Sequence, residues 1–138
     1  MENKEPIIIY IKKSQRPDFD ILLKDSIFKE KENKHVFLLA MLIGFKNGIK
    51  IKLTDRDSKG FFRTEYLSDR EKALIKAIAI ADQKSLLILK DKKKVYSIVE
   101  EYAAGGIKIL KDKVTSGEYG SFIKKFEAEL LNMFKKIK

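Results

Sequence analysis

From Val36 to Phe45 ten consecutive residues, VFLLAMLIGF, are apolar or glycine, in a chain that is otherwise crowded with lysine. A run like this can cross a membrane, line a pocket or sit in a core. Crossing a bilayer takes about 20 apolar residues, and this run stops sooner, at Gly44 and the turn-like pair Asn47-Gly48. Read as a helix it is apolar on every side, and such a helix is enclosed by its neighbours rather than half exposed. The expectation is a central core helix entered through Asn33 as N-cap, with His35, the one histidine, near its start. Gly44 inside that helix costs about 1 kcal/mol against alanine unless close packing uses the missing side chain.

The remaining pattern arranges itself around this element. Residues 7–11, IIIYI, are β-branched and aromatic and predict a short strand. Residues 19–28 predict a short helix entered through Pro17-Asp18, with Asp18 as its N-cap. Ile49, Ile51 and Leu53 alternate with lysines as a half-buried strand does, and residues 61–66 would return from the polar loop 54–60 to close a hairpin with them. Ser68 and Glu71 form a capping box for a helix reaching Ala81. The run LLIL at 86–89 fits helix and strand alike. Val95, Ile98, Val99, Tyr102 and Ala103 mark one face of a helix that Gly105-Gly106 is expected to end, with residues 107–110 continuing as helix or extended chain.

Tyr119, Phe122, Ile123, Phe126, Leu130, Met133, Phe134 and Ile137 recur at three- and four-residue spacing, a helix of about 28 Å. That stripe suits core packing or a partner-binding face, for which Tyr119, Phe122, Phe126 and Phe134 are the candidates. The fold expected is mainly α: a single compact helical domain over residues 1–138 with a minor β-hairpin or small sheet. Its helical core covers about residues 18–116, and a C-terminal amphipathic helix about 118–137.

Chemistry is constrained by what is missing. Without cysteine and with one histidine, the usual zinc ligand sets cannot be assembled, and His35 has no evident nucleophile to activate. The glycines form neither dinucleotide- nor phosphate-binding motifs. No cofactor is expected. One string matches the pattern of metal-dependent nucleases, Asp18 after Pro17 followed by Glu32-Asn33-Lys34; such enzymes hold magnesium on two carboxylates while a lysine orients water. That chemistry requires two paired strands, whereas Asp18 reads as a helix cap and Glu32 and Lys34 lie in a charge run. Asp55, Asp57 and Glu65 form a second, weaker candidate for magnesium.

The charge balance points elsewhere. Thirty basic residues against twenty acidic give a net charge of +10, which favours polyanionic partners or serves solubility alone. The excess lies mainly at Lys90–Lys94, Lys108–Lys113 and the tail Lys135, Lys136 and Lys138. Lys92, Lys93, Lys94, Lys108 and Lys111 are the candidate DNA contacts, with Arg63, Tyr66 and Arg70 as possible flanks. With no secretory leader pattern and no span, the chain reads as cytoplasmic and independent of membranes.

Two stretches together, HVFLLAMLIGFKNG (35–48) and IVEEYAAGGIKIL (98–110), with ALIKAIAIA and SLLIL between them, resemble the small dnd-associated accessory proteins encoded with bacterial DNA phosphorothioation systems. The resemblance covers roughly residues 20–115; it departs at Ala104, where the family often has a polar residue, and the C-terminal helix looks like an addition. These are packing motifs and carry no catalytic residues over. The resemblance implies a non-enzymatic accessory subunit of an anti-phage defence complex. Its expected partners are a larger protein (an SMC-like or helicase-type ATPase, or a nuclease) and DNA. The alternatives are a small metal-dependent nuclease and a phage-encoded inhibitor of a host system.

Overall fold

A computed structural model describes residues 4–25, 28 and 32–137, apart from the side chains of Phe134, Lys136 and Ile137. The expectations placed on Phe134, Ile137, Lys136, Lys138 and the segment around Lys29–Lys31 therefore fall outside the described residues. Among those residues the elements run β1 (Ile8–Ile9), α1 (Arg16–Lys24), α2 (Asn33–Asn47), β2 (Phe62–Arg63), α3 (Asp69–Gln83), α4 (Lys92–Thr115) and α5 (Tyr119–Ile137). Short 3₁₀ turns occupy Lys13–Gln15, Thr64–Tyr66 and Leu86–Lys90. The fold is mainly α, as expected, with one two-stranded antiparallel sheet.

The apolar run does form the central helix. In α2, Val36, Phe37, Ala40, Met41 and Ile43 are all fully buried. The N-cap is Glu32 rather than Asn33: the Glu32 backbone N–H donates to His35 Nδ1 at 3.2 Å, and Asn33 Nδ2 instead donates to the Phe61 carbonyl at 2.8 Å. Gly48, at φ 67°, closes the helix in the left-handed conformation that costs glycine least.

Lying across α2 is α4, 24 residues long and so about 36 Å. Gly105 and Gly106 do not end it. A Cβ on Gly106 would strike the Ala40 carbonyl and the Gly44 amide, one on Gly44 the Tyr102 carbonyl, and one on Gly105 the Ile49 carbonyl. These three glycines permit backbone-to-backbone approach of α2, α4 and the strand-like segment after α2. Their intrahelical hydrogen bonds survive, so the helix continues and close packing offsets their poor propensity.

The same approach explains why residues 49–53 form no strand. The Ile49 N–H donates to the Gly44 carbonyl at 2.9 Å and the Ile51 N–H to the Glu101 carbonyl at 3.1 Å. With those donors committed to helices, β2 pairs with the N-terminal segment instead, Ile8 facing Arg63 and Ile9 facing Phe62. The expected hairpin is thus replaced by a long-range pairing. Helix α1 begins at Arg16 with Pro17 in its first turn and Gln15 as N-cap, which leaves Asp18 inside the helix; its end at Lys24 is earlier than the pattern suggested.

The capping box of α3 forms as read, Glu71 N–H to Ser68 Oγ at 3.1 Å and Ser68 N–H to Glu71 Oε1 at 2.8 Å. Buried side chains from Ile9 to Phe126 join in one hydrophobic cluster. Helix α5 reaches it through Phe126, buried and stacked on Phe122, through Tyr119 edge-on to Phe28, and through an ion pair from Lys46 to Glu129.

Candidate nucleic-acid interface

Four residues of α4, Lys93, Tyr96, Ser97 and Glu100, recur at three- and four-residue spacing and share one face of the helix. That face meets the segment around β1 and the loop before β2, and together they enclose an open cleft of about 670 Å³. Pro6, Ile8 and Tyr10 form one wall, Arg56 comes from the loop, and Lys93 and Lys94 stand at the α4 side.

Glu100 organises the floor. It is only 4% exposed, and both of its oxygens are engaged. Oε1 accepts from Arg56 Nη1 at 2.6 Å and Oε2 from the Tyr10 backbone N–H at 2.7 Å. Burial raises the pKa of its carboxyl, against the lowering effect of the Tyr10 amide and Arg56. The Arg56 guanidinium also lies 5.6 Å over the Tyr10 ring, so this cation is held at its edge by a carboxylate and on one face by an aromatic. Tyr96, beside it, donates its hydroxyl to Glu5 Oε2 at 2.8 Å; burial first, then the Glu5 carboxylate, push its phenol well above the ordinary value.

The first turn of α4 carries Lys92, Lys93 and Lys94 and no acidic residue. Asp91 caps it, accepting from the Lys94 N–H at 3.1 Å. All three lysines are exposed, and the ammonium groups of Lys93 and Lys94 make no ion pair with any described residue. Cations at a helix N-terminus oppose the macrodipole, so this turn favours a bound anion.

The other candidate lysines lie apart. Lys108 is exposed on α4, about 22 Å along the helix from Lys93 at 1.5 Å per residue. Lys111 donates to Asp18 Oδ1 at 2.9 Å, and that carboxylate raises its pKa by hydrogen bond and charge. Arg63 and Tyr66 do not flank the cleft; with Phe61, Phe62 and Lys34 they line a separate hollow of about 430 Å³.

Nor are the nuclease-like residues brought together. Asp18 is bound to Lys111, while Lys34 donates to Glu71 Oε1 at 3.0 Å and to the Tyr66 carbonyl at 2.7 Å. Asp55 pairs with Lys12, Asp57 with Arg16 and Glu65 with Arg63. Among the described residues no three His, Cys, Asp or Glu side chains are grouped so as to hold a metal ion. Of the candidate partner-binding residues, Phe126 is buried and Tyr119 and Phe122 are half-buried; Leu131, which the spacing did not single out, is 61% exposed on the same helix.

Arg56, Tyr10 and Glu100 escaped the sequence reading because they come from three separate segments. One signal was present: Glu100 stands four residues after Tyr96, on the helix side of Tyr96 and Lys93, whereas its neighbour Glu101 only half-buries.

Fold and cleft together define a mainly α-helical protein presenting a cation-rimmed cleft at one end of its longest helix. The chain belongs to the family of DNA sulphur modification system-associated protein 4, whose model matches residues 18–133, in agreement with the resemblance in its packing motifs. The match runs through most of α5, so that helix is part of the family pattern and not an addition to it. No curated protein and no solved structure matches it significantly. No helix among the described residues is long and apolar enough to cross a membrane.

Proposed function

We propose that the protein is a non-enzymatic accessory subunit of a DNA sulphur modification-associated defence complex, binding a larger protein and contacting DNA through the first turn of α4. Family membership supplies the setting. The observation that carries the DNA contact is the pair of ammonium groups of Lys93 and Lys94, which make no ion pair with any described residue and line the same cleft as Arg56, in a chain of net charge +10. Lysines bind phosphates as point charges, giving affinity that falls with salt at a slope of about −0.9 per duplex phosphate neutralised. Lys92 adds to this turn; Lys108 is an outlying contact, and Lys111 contributes least because Asp18 already neutralises it.

The test is fluorescence anisotropy of labelled DNA against salt, for the wild type and for the variant carrying Lys92→Glu, Lys93→Glu and Lys94→Glu. The variant is expected to lose most of its affinity and about two to three units of slope. Unchanged binding would remove the patch from consideration. For the protein partner, Leu131, 61% exposed on α5, offers the apolar contact. Phe122, nine residues before it, lies on the opposite side of the helix, and Tyr119 and Phe122 are half-buried against Phe28 and Phe126. Leu131→Asp is expected to abolish co-purification with the products of the same defence system while leaving DNA binding intact.

A further inference from the structure

The cleft contains more than a phosphate clamp needs. A backbone-tracking patch requires only exposed cations, yet here Arg56 is immobilised in a way that loose electrostatic contact does not demand. Its Nη1 is tied to the buried Glu100 carboxylate at 2.6 Å, one face lies over the Tyr10 ring at 5.6 Å, and its side chain is still 41% exposed. A lysine would satisfy Glu100 as a point charge. Only arginine adds a flat, weakly hydrated surface that stacks, and its fixed orientation lowers the entropy lost when something stacks on it.

We propose that this cleft takes one unstacked nucleotide, its base lying on the open face of the Arg56 guanidinium and its phosphate on Lys93 and Lys94, so that the protein prefers unpaired DNA to closed duplex. The inference rests on the DNA-binding reading above and specifies the form of DNA. Bases inside a duplex have both faces covered by their neighbours, whereas unpaired bases present a face that aromatic rings and arginine planes can cover. At about 670 Å³ the cleft lies in the range of small-ligand sites. Its apolar wall of Pro6 and Ile8 suits a sugar and a base edge, and the Ser97 side chain lies in the opposite wall. The charges agree with this orientation. Glu100 is committed to Arg56 and Asp91 to capping α4, so among the described residues the uncompensated positive charge lining the cleft is that of Lys93 and Lys94.

Anisotropy with an oligothymidine strand and with a closed hairpin duplex of equal phosphate number tests this, in wild type and in Arg56→Lys. The wild type is expected to favour the single strand by about tenfold, in the range that stacking one base supplies. Arg56→Lys keeps the charge, the Glu100 partner and the duplex affinity but loses the preference. In parallel, titration of the isotope-labelled wild type with dAMP should move the Arg56 Nε–H resonance, and inorganic phosphate at the same concentration should not; this measurement does not depend on the variant folding. Equal affinity for strand and duplex, retention of the preference by Arg56→Lys, or an Arg56 resonance insensitive to dAMP overturns the nucleotide cleft and leaves DNA binding standing. Absence of binding to either DNA at low salt overturns both.

Discussion

Replacing Gly106 by alanine sets two effects of known sign against each other. In an open helix interior the change is favourable by about 1 kcal/mol, because alanine is the better helix former. Here the added methyl would overlap the Ala40 carbonyl group and the Gly44 amide nitrogen, backbone atoms that have no rotamer to escape into. Relief requires α2 and α4 to separate, which loosens the packing around the fully buried Ala40, Met41, Val99 and Ile107. Overpacking of this type costs about 1–3 kcal/mol and sometimes more. Rigid collision partners on both sides put this case at the upper end. The net effect expected is a loss of about 2 kcal/mol, read as a fall of about 1 M in the urea midpoint at unchanged slope. Gly120→Ala is the internal control: it is helical, with nothing within 4 Å of the new methyl, and should be neutral to stabilising. Gly44→Ala should resemble Gly106→Ala, and the double variant should cost less than the sum, since one separation of the helices relieves both collisions. A Gly106→Ala midpoint at or above that of the wild type would refute the close crossing and return Gly105-Gly106 to the role of a helix terminator.

Other perturbations test the remaining elements. Glu100→Ala deprives the Arg56 guanidinium and the Tyr10 amide of their acceptor and should cost about 2 kcal/mol in denaturant unfolding. Glu100→Gln keeps a carbonyl oxygen there and should cost less; equal losses would contradict the assigned bonds. Phe126→Ala should cost about 3 kcal/mol and Leu131→Ala under about 0.5 kcal/mol, because one is buried and the other exposed; similar losses would mean that α5 is not docked as described. Stability should be level near neutral pH and decline as pH falls through about 4 and below. Burial raises Glu5, Glu71 and Asp82, but hydrogen bonds from Tyr96 and Lys72, from Ser68 and Lys34, and from Tyr102, Gln83 and Lys50 outweigh it, so each ends below its usual value. A carboxylate lowered in the folded state gives up its contribution on protonation. Glu100, raised by burial, works in the opposite direction, so over the pH range just above the ordinary glutamate value Glu100→Gln should lose stability more steeply than the wild type as pH falls; a shallower decline there would show the sign to be wrong.

Local and periodic features were legible in the sequence, and long-range ones were not. An apolar run with no polar face admits only burial, so α2 could be placed at the centre without knowing its neighbours. The Ser68–Glu71 box and the stripe of α5 are likewise complete within a few turns of chain. The partner of the N-terminal strand was not legible, because the alternation at Ile49–Leu53 describes side chains while the pairing is decided by backbone donors, and those of Ile49 and Ile51 go to α2 and α4. Gly105-Gly106 was misread for a related reason. A glycine pair carries the same local signal whether it ends a helix or lets another helix approach, and only Gly44 on the facing helix distinguishes the two. Lys111 counted as surplus charge until Asp18, 93 residues away in sequence, took it up.

The crossing of α2 and α4 and the cleft belong to one argument. Gly44, Gly105 and Gly106 fix the rotation of α4 about its own axis, since only the glycine face can approach α2 so closely. With that rotation set, the face bearing Lys93, Tyr96, Ser97 and Glu100 is presented to β1 and the Arg56 loop. Glu100 then has to be matched where it is buried, and the Tyr10 amide and Arg56 match it. The packing motifs by which the family resemblance was seen therefore shape the cleft at a distance: they contain no residue of it except Glu100, yet they determine which side of α4 carries it. A substitution at the crossing that rotates α4 without unfolding it should weaken single-strand binding before it lowers the urea midpoint. A glycine-to-alanine variant of α4 that is destabilised as expected yet keeps the normal strand preference would separate the crossing from the cleft.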